Sequence, residues 1–206
     1  MKIYLCCNGL DDKLKDAWKL HCGDFEFVTI TVQNIIDLDV KAIVAPANSF
    51  GDMTGGLDLH YKNYLGSNIE KDIQTILAEK YYGELPVGSA EGVEIKCNNP
   101  NIKIEYVIFA PTMRVPETIG HTVNSFLAAK AAIIEAKRLE LASIALPGLG
   151  TGTGGMDNFD CARQVAEAIK YVLIDKTYLE KPKDLYKEQG LTRRMAPLKW
   201  RELHGF

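Results

Sequence analysis

Three stretches of the chain carry residue types that do chemistry, at spacings that matter. The densest is ALPGLGTGTGGMD, Ala145–Asp157, with five glycines, two threonines and no ionisable group before Asp157. A glycine run between a strand and a helix lets consecutive backbone N–H groups close around a phosphate or diphosphate, with the Thr151 and Thr153 hydroxyls as further donors. The stretch lacks the lysine of a G-x-x-x-x-G-K-[ST] loop, and Gly148-x-Gly150 is only a fragment of a dinucleotide fingerprint. It reads as a glycine-rich anion nest, with a ligand-free flexible loop as the competing reading.

The second stretch is VAPANSFGDMTGGLDLHY, Val44–Tyr61. A strand ends at Pro46-Ala47-Asn48, and a turn-rich loop leads through Gly55-Gly56 into a helix. Asn48 both donates to and accepts from sugar hydroxyls. Gly55 and Gly56 bring backbone N–H groups of a helix start toward a phosphate or ribose. Asp58, in the first helical turn, is either a general-base candidate or a surface acid favoured by the helix dipole. His60, two residues on, is a candidate second acid–base group, but a helix turns it away from the Asp58 face, so a surface or packing histidine is the plainer reading. The third stretch, IFAPTMRVPET (Ile108–Thr118), puts Arg114 just past a strand end, to meet a phosphate or only solvent.

Other chemistries are disfavoured. His21, His60, His121 and His204 show no paired spacing, so no metal site is expected. There is no G-x-S-x-G elbow and no C-x-x-C. The five cysteines, Cys6, Cys7, Cys22, Cys97 and Cys161, read as reduced packing residues, with Cys6 and Cys7 on opposite faces of a strand. Net charge is −3 and the pI about 5.8, which argues against nucleic-acid binding through a broad basic field. No signal peptide or membrane span is recognisable, so a cytoplasmic protein with no membrane partner is expected.

The elements that position these loops alternate. A strand at Lys2–Cys7 ends in an Asn8-Gly9 turn. A helix follows with Leu10, Leu14, Ala17, Trp18 and Cys22 on one side, then a strand at Phe25–Val32 and a buried strand from Val40 that Pro46 breaks. A helical stretch runs from Leu57 to Gly83 with an interruption at Gly66. Strands at Gly88–Cys97 and Ile104–Met113 flank a turn at Asn98–Asn101. An alanine-rich helix at Thr122–Glu140, a strand from Ser143 and a helix at Asn158–Asp175 complete the core. The order predicts an α/β fold, a three-layer α/β/α arrangement around a central mixed sheet, with ligands bound past the carboxyl ends of the strands. At 206 residues the chain suits one domain, read as 1–175, with 176–206 as a helical extension and tail of the same domain.

Taken in order, QNIIDLDVKAIVAPANSF, TGGLD, YVIFAPT and ALPGLGTGTGG resemble the macro domain family over roughly Val28–Leu173. The forms PANSFG, GGLDL and PTMRVP are most similar to a microbial, phage and fungal branch, some of whose members are ADP-ribose 1″-phosphate phosphatases. The resemblance implies an ADP-ribose pocket. Asn34 aligns with the acid that contacts adenine, keeping an acceptor and losing its charge. The Ile35 amide faces the adenine edge, Asn48 holds the distal ribose, and Gly55, Gly56 and Leu57 line that ribose and the adjoining phosphate. Thr151, Gly152, Thr153, Gly154 and Gly155 cradle the diphosphate. The family's ribose-capping aromatic aligns near Gly154 or Met156, a smaller or softer lid. Ala45 and Pro46 depart from the Asn-Ala-Ala-Asn pattern, and Phe109 stands where a histidine is common.

Two functions stay open. One is a hydrolase, without metal or other cofactor, acting at the distal ribose as an ADP-ribose 1″-phosphate phosphatase or an ADP-ribosyl hydrolase on protein or nucleic acid. Asn48 would position the ribose and Asp58 would act as base or orient water. The other is a non-catalytic reader of ADP-ribose or ADP-ribosylated targets. A different nucleotide-binding α/β protein is a third, more distant reading.

Overall fold

The computed structural model of the chain describes residues 1–7, 12–66, 68–96 and 102–174. Six strands form one mixed sheet: β1 (Lys2–Cys6), β2 (Val28–Thr31), β3 (Ala42–Ala45), β4 (Glu91–Glu94), β5 (Tyr106–Phe109) and β6 (Ser143–Leu146). Their spatial order is β2-β1-β6-β3-β5-β4. Every neighbouring pair is parallel except β4–β5, an antiparallel edge pair. Five strands therefore point their carboxyl ends the same way, and the connections after them gather on one side of the sheet.

Helices cover both faces. On one lie α1 (Asp12–Cys22), α4 (Asn124–Arg138) and α5 (Asn158–Ile169), whose Trp18, Phe126, Ala132 and Val165 pack on Ile3, Leu5, Val44 and Ile144. On the other lie α2 (Gly56–Leu65) and α3 (Asn68–Tyr81), whose Tyr61, Ile73 and Leu77 pack on Ile43, Ala45, Val107 and Phe109. A strand alternates its side chains between faces, so the all-apolar run of β3 feeds both cores: Ala42 and Val44 to one, Ile43 and Ala45 to the other. Cys6 and Cys7 part in the same way.

Several expected boundaries move for local reasons. The strand expected from Phe25 starts at Val28, because the Val28 N–H turns back to the Phe25 carbonyl (2.9 Å) and Phe25 and Phe27 stack on each other. The strand expected from Gly88 starts at Glu91, after a turn closed by Ser89 N–H on Pro86 O (3.0 Å). The helical stretch divides at Gly66, where φ is +102°. The last helix widens into a π-turn at Lys170–Ile174. The Asn8-Gly9 turn, Leu10, Cys97, the Asn98–Asn101 turn and the tail 176–206 lie outside the described residues. Among the described residues, no helix is long and apolar enough to cross a membrane.

At the end of α3, Tyr82 is held at φ +55° with its side chain fully exposed, and Gly83 N–H closes the helix on Leu77 O at 2.9 Å. The left-handed backbone costs a tyrosine about 1 kcal/mol that a glycine avoids. Tyr82→Gly is expected to raise stability by about 1 kcal/mol in urea denaturation.

Candidate active site: a cleft across the strand ends

The connections beyond the parallel strands enclose a cavity of about 890 Å³. Sheet order sets its chemistry from one end to the other. At the β2–β1 end its walls are Val32, Gln33, Asn34, Ile35, Cys7 and Leu14, apolar apart from two amide side chains. At the centre, after β6, stand Pro147 and the glycine loop. At the β3–β5 end lie Pro46–Asn48, Met113, Pro116, Asp52 and the segment from Thr54 to Asp58. Among the described residues, no lysine or arginine lines the cavity.

In the central loop Gly148, Gly150, Thr151, Gly152 and Thr153 border the cavity. Gly150 needs its φ of +76°, and a Cβ there would lie 2.5 Å from Ile119 Cδ1. Thr151 donates its hydroxyl to Gly148 O at 3.1 Å, so it shapes the loop as well as facing the cavity. Gly152 is exposed, and a Cβ built on it meets nothing within 4 Å. Of the expected Thr151–Gly155, only Thr151, Gly152 and Thr153 border the cavity, and Gly148 and Gly150 border it before them. Gly154 is buried, and its carbonyl accepts Ile119 N–H at 2.7 Å. Gly155 N–H turns back to Gly152 O at 3.0 Å. Met156 does not border the cavity: it is 3% exposed, packed in the core, with the Gln164 amide on its sulfur. Asp157 caps α5, accepting from the Phe159 and Asp160 N–H groups at 2.9 and 3.2 Å.

In the β3 loop, Asn48 borders the cavity but spends much of its amide on its own loop. Oδ1 accepts from Phe50 N–H (3.0 Å) and Asp52 N–H (3.4 Å), and Nδ2 donates to Asp52 O (2.9 Å). One N–H of Nδ2 stays free for a ligand. Ser49, buried, pins the loop to Met113 O and to the Leu85 N–H. Pro46, which departs from the family's Asn-Ala-Ala-Asn pattern, accepts the Thr112 hydroxyl through its carbonyl. Gly55 caps α2 in an extended conformation and Gly56 follows at φ +57°, both with open space where a side chain would project. Leu57 borders the cavity next to them.

Asp58 is the anomalous group. The residue is half-buried, but its Oδ1 has no solvent access and no hydrogen-bond partner. Burial, and then the nearby Asp52 carboxylate, push its pKa from the ordinary 3.8 to about 7. Tyr61, buried beneath, gives its hydroxyl to Val44 O rather than to Asp58. The carboxyl therefore exchanges its proton near neutrality at the edge of a cavity, the property of a general acid–base group.

His60 also borders the cavity, because the first turn of α2 stands in the wall and two of its faces look inward. Its Nε2 lies 3.3 Å from Asn34 Nδ2 and 3.4 Å from Asn34 Oδ1. Asn34 in turn caps the short 3-10 turn Ile35–Asp37 by accepting Ile36 N–H at 3.5 Å. Arg114 is drawn away from the cavity. It grips Glu84 through Nε (2.7 Å) and Nη2 (2.9 Å) and lies over the Phe50 ring. Phe109 is fully buried in the core. The floor includes Cys6 and Cys7, which sequence reasoning treated only as packing. Burial, with Cys7 adding to it, pushes the Cys6 thiol up to about 12, so it is no nucleophile near neutral pH. Among the described residues, no group of three or more His, Cys, Asp or Glu is placed to hold a metal ion.

Comparison with known proteins agrees with this architecture. The macro domain family model matches residues 44–165. An uncharacterized protein of Aquifex aeolicus is 33% identical over 143 residues, which cover 69% of this chain and 81% of the relative. The Oceanobacillus iheyensis macrodomain, solved with ADP, superposes with a TM-score of 0.59 at 21% identity, over 69% of this chain and 74% of that one. Thermosipho africanus DarTG, solved in complex with ADP-ribose, gives a TM-score of 0.57 at 14% identity, over 84% of this chain and 51% of that one. With its sheet order, its strand-end cleft and a family match over most of the core, the chain belongs to the macro domain family.

Proposed function

We propose that the chain binds ADP-ribose along the cleft and hydrolyses a group attached to the distal ribose. The order of surfaces supports this reading. An apolar end suits a planar base, a loop of backbone N–H groups suits a diphosphate, and a polar end with Asn48, Gly55, Gly56 and Leu57 suits a ribose. Backbone amides hold a diphosphate without a cationic side chain. The single observation that carries the enzymatic part is Asp58, with its buried, unpartnered Oδ1 and a pKa near neutrality.

In its ionised form Asp58 takes a proton from a water that attacks the group on the distal ribose. For a 1″-phosphate, a P–O bond forms to that water and the bond to the ribose oxygen breaks, with the proton returned to the sugar. Asn48 orients the ribose through its free N–H, and the loop amides stabilise charge on the phosphate oxygens.

The test is incubation with ADP-ribose 1″-phosphate and with mono-ADP-ribosylated protein, followed by phosphate and ADP-ribose release. Turnover of one of them is expected. Saturable ADP-ribose binding with turnover of neither would make the chain a reader instead.

A further inference from the structure

Asn34 and His60 touch each other at the apolar end of the cleft, and the hydrolytic reading uses neither. We infer that this pair makes the base end accept a purine bearing either an amino or a carbonyl group at its six position. The ligand class then extends from ADP-ribose to its hypoxanthine analogue. The inference rests on the ADP-ribose reading above.

The pair carries a countable set of donors and acceptors. An asparagine amide has two acceptor sites on Oδ1 and two N–H donors on Nδ2. Ile36 N–H occupies one acceptor site, through a long contact of 3.5 Å. His60 Nε2 is almost equidistant from the two amide atoms, at 3.3 Å from Nδ2 and 3.4 Å from Oδ1. In the tautomer with a lone pair on Nε2, the imidazole accepts one Asn34 N–H. One acceptor site and one donor then remain for a ligand, and the acceptor meets an exocyclic amine. In the tautomer with the proton on Nε2, the imidazole donates to Oδ1 and fills its last acceptor site. Two donors then remain, and they meet a carbonyl oxygen. Moving one proton between the ring nitrogens converts one edge into the other. A carboxylate at position 34 offers acceptors only and would repel a carbonyl.

The surroundings favour this use of the pair. Ile35 and Ile36 are buried, so the backbone that carries Asn34 is fixed. Both Asn34 and His60 border the cavity, and both are exposed to an incoming ligand. His60 is a positioning residue. Without it the amide is held only by the long cap contact to Ile36.

Calorimetric titration of the full chain with ADP-ribose and with inosine diphosphate ribose tests the inference. Wild type is expected to bind the two within about threefold. Asn34→Asp, an equally good cap, is expected to favour ADP-ribose by about tenfold or more. His60→Ala is expected to weaken both ligands about fivefold, and His60→Gln, whose amide also donates and accepts, to restore them. Tight ADP-ribose binding with discrimination above tenfold in the wild type, or an unchanged ratio in Asn34→Asp, overturns the base inference alone. His60→Ala binding both ligands like wild type overturns the positioning role. Binding of neither nucleotide by the folded wild type overturns the ADP-ribose reading and this inference with it.

Discussion

Replacing Gly152 with valine is expected to abolish nucleotide binding while leaving the fold intact. Gly152 borders the cavity at the centre of the amide loop, and a Cβ built there meets nothing within 4 Å. Its φ lies outside the left-handed region, so a branched side chain is accommodated without backbone strain. In the proposed binding mode that open space is where the diphosphate comes within hydrogen-bonding distance of the loop. Three added carbons hold the phosphates off at least two charge-assisted bonds, each worth about 1.5–3 kcal/mol. Affinity should fall by about 100-fold or more, with the melting temperature unchanged within about 2 °C. Gly150→Ala is the contrasting variant. Its Cβ would meet Ile119 at 2.5 Å in a backbone of φ +76°, so it should lose about 2–4 kcal/mol of stability. Calorimetric titration and thermal melts of the two variants separate a ligand surface from a structural turn only two residues away.

The second large effect belongs to Asp58→Asn. Turnover should fall by about 10²–10³-fold, while ADP-ribose affinity changes by less than about threefold. In the wild type the base form is the ionised one. Below pH 7 the rate should therefore rise about tenfold per pH unit and level off above it, following the pKa of about 7. The same group has an opposite effect on stability. Its folded pKa lies above the unfolded value, so the folded state holds the proton more tightly between about pH 4 and pH 7. Stability falls as pH rises through that window, because ionising Asp58 leaves a desolvated charge beside Asp52. The rise from 3.8 to about 7 sets a ceiling of about 4 kcal/mol, and partial solvent access brings the expected penalty to on the order of 2 kcal/mol. Asp58→Asn should thus be the more stable protein at pH 8, and the difference should shrink toward pH 4. Urea denaturation at the two pH values measures it. An asparagine that is both inactive and stabilised marks a site strained for function.

The layers and the location of the cleft were legible because they depend on local patterns. Apolar runs ended by Pro46 and Pro147 mark strand ends, and clustered glycines mark loops that approach a ligand. Gly66 and Gly83 ended helices where the periodicity stopped. What stayed hidden depends on contacts between distant residues. Asn34 and His60 are 26 positions apart and meet only because the 3-10 turn and α2 pack on the same face of the sheet. The spacing argument that turned His60 away from Asp58 held for the helix but not for a cavity that borders two of its faces. Glu84 and Phe50 together hold Arg114 away from the cavity, which no spacing around Arg114 foretells. Met156 sits within a glycine-rich loop and is still core, because its backbone N–H closes onto Gly150 O and draws the side chain inward. The isolation of Asp58 Oδ1 is a property of the packed site, not of the GGLD motif that carries it.

In the proposed reading the strand-end cleft binds ADP-ribose through the backbone of its glycine loop. Titration calorimetry of ADP-ribose into the wild type and Gly152→Val decides this. Saturable one-to-one binding to the wild type is expected, with a dissociation constant of about micromolar order, together with loss of that binding in a valine variant that still melts normally. A folded wild type that gives no saturable signal at millimolar ADP-ribose, or a valine variant that binds as tightly as the wild type, would contradict it.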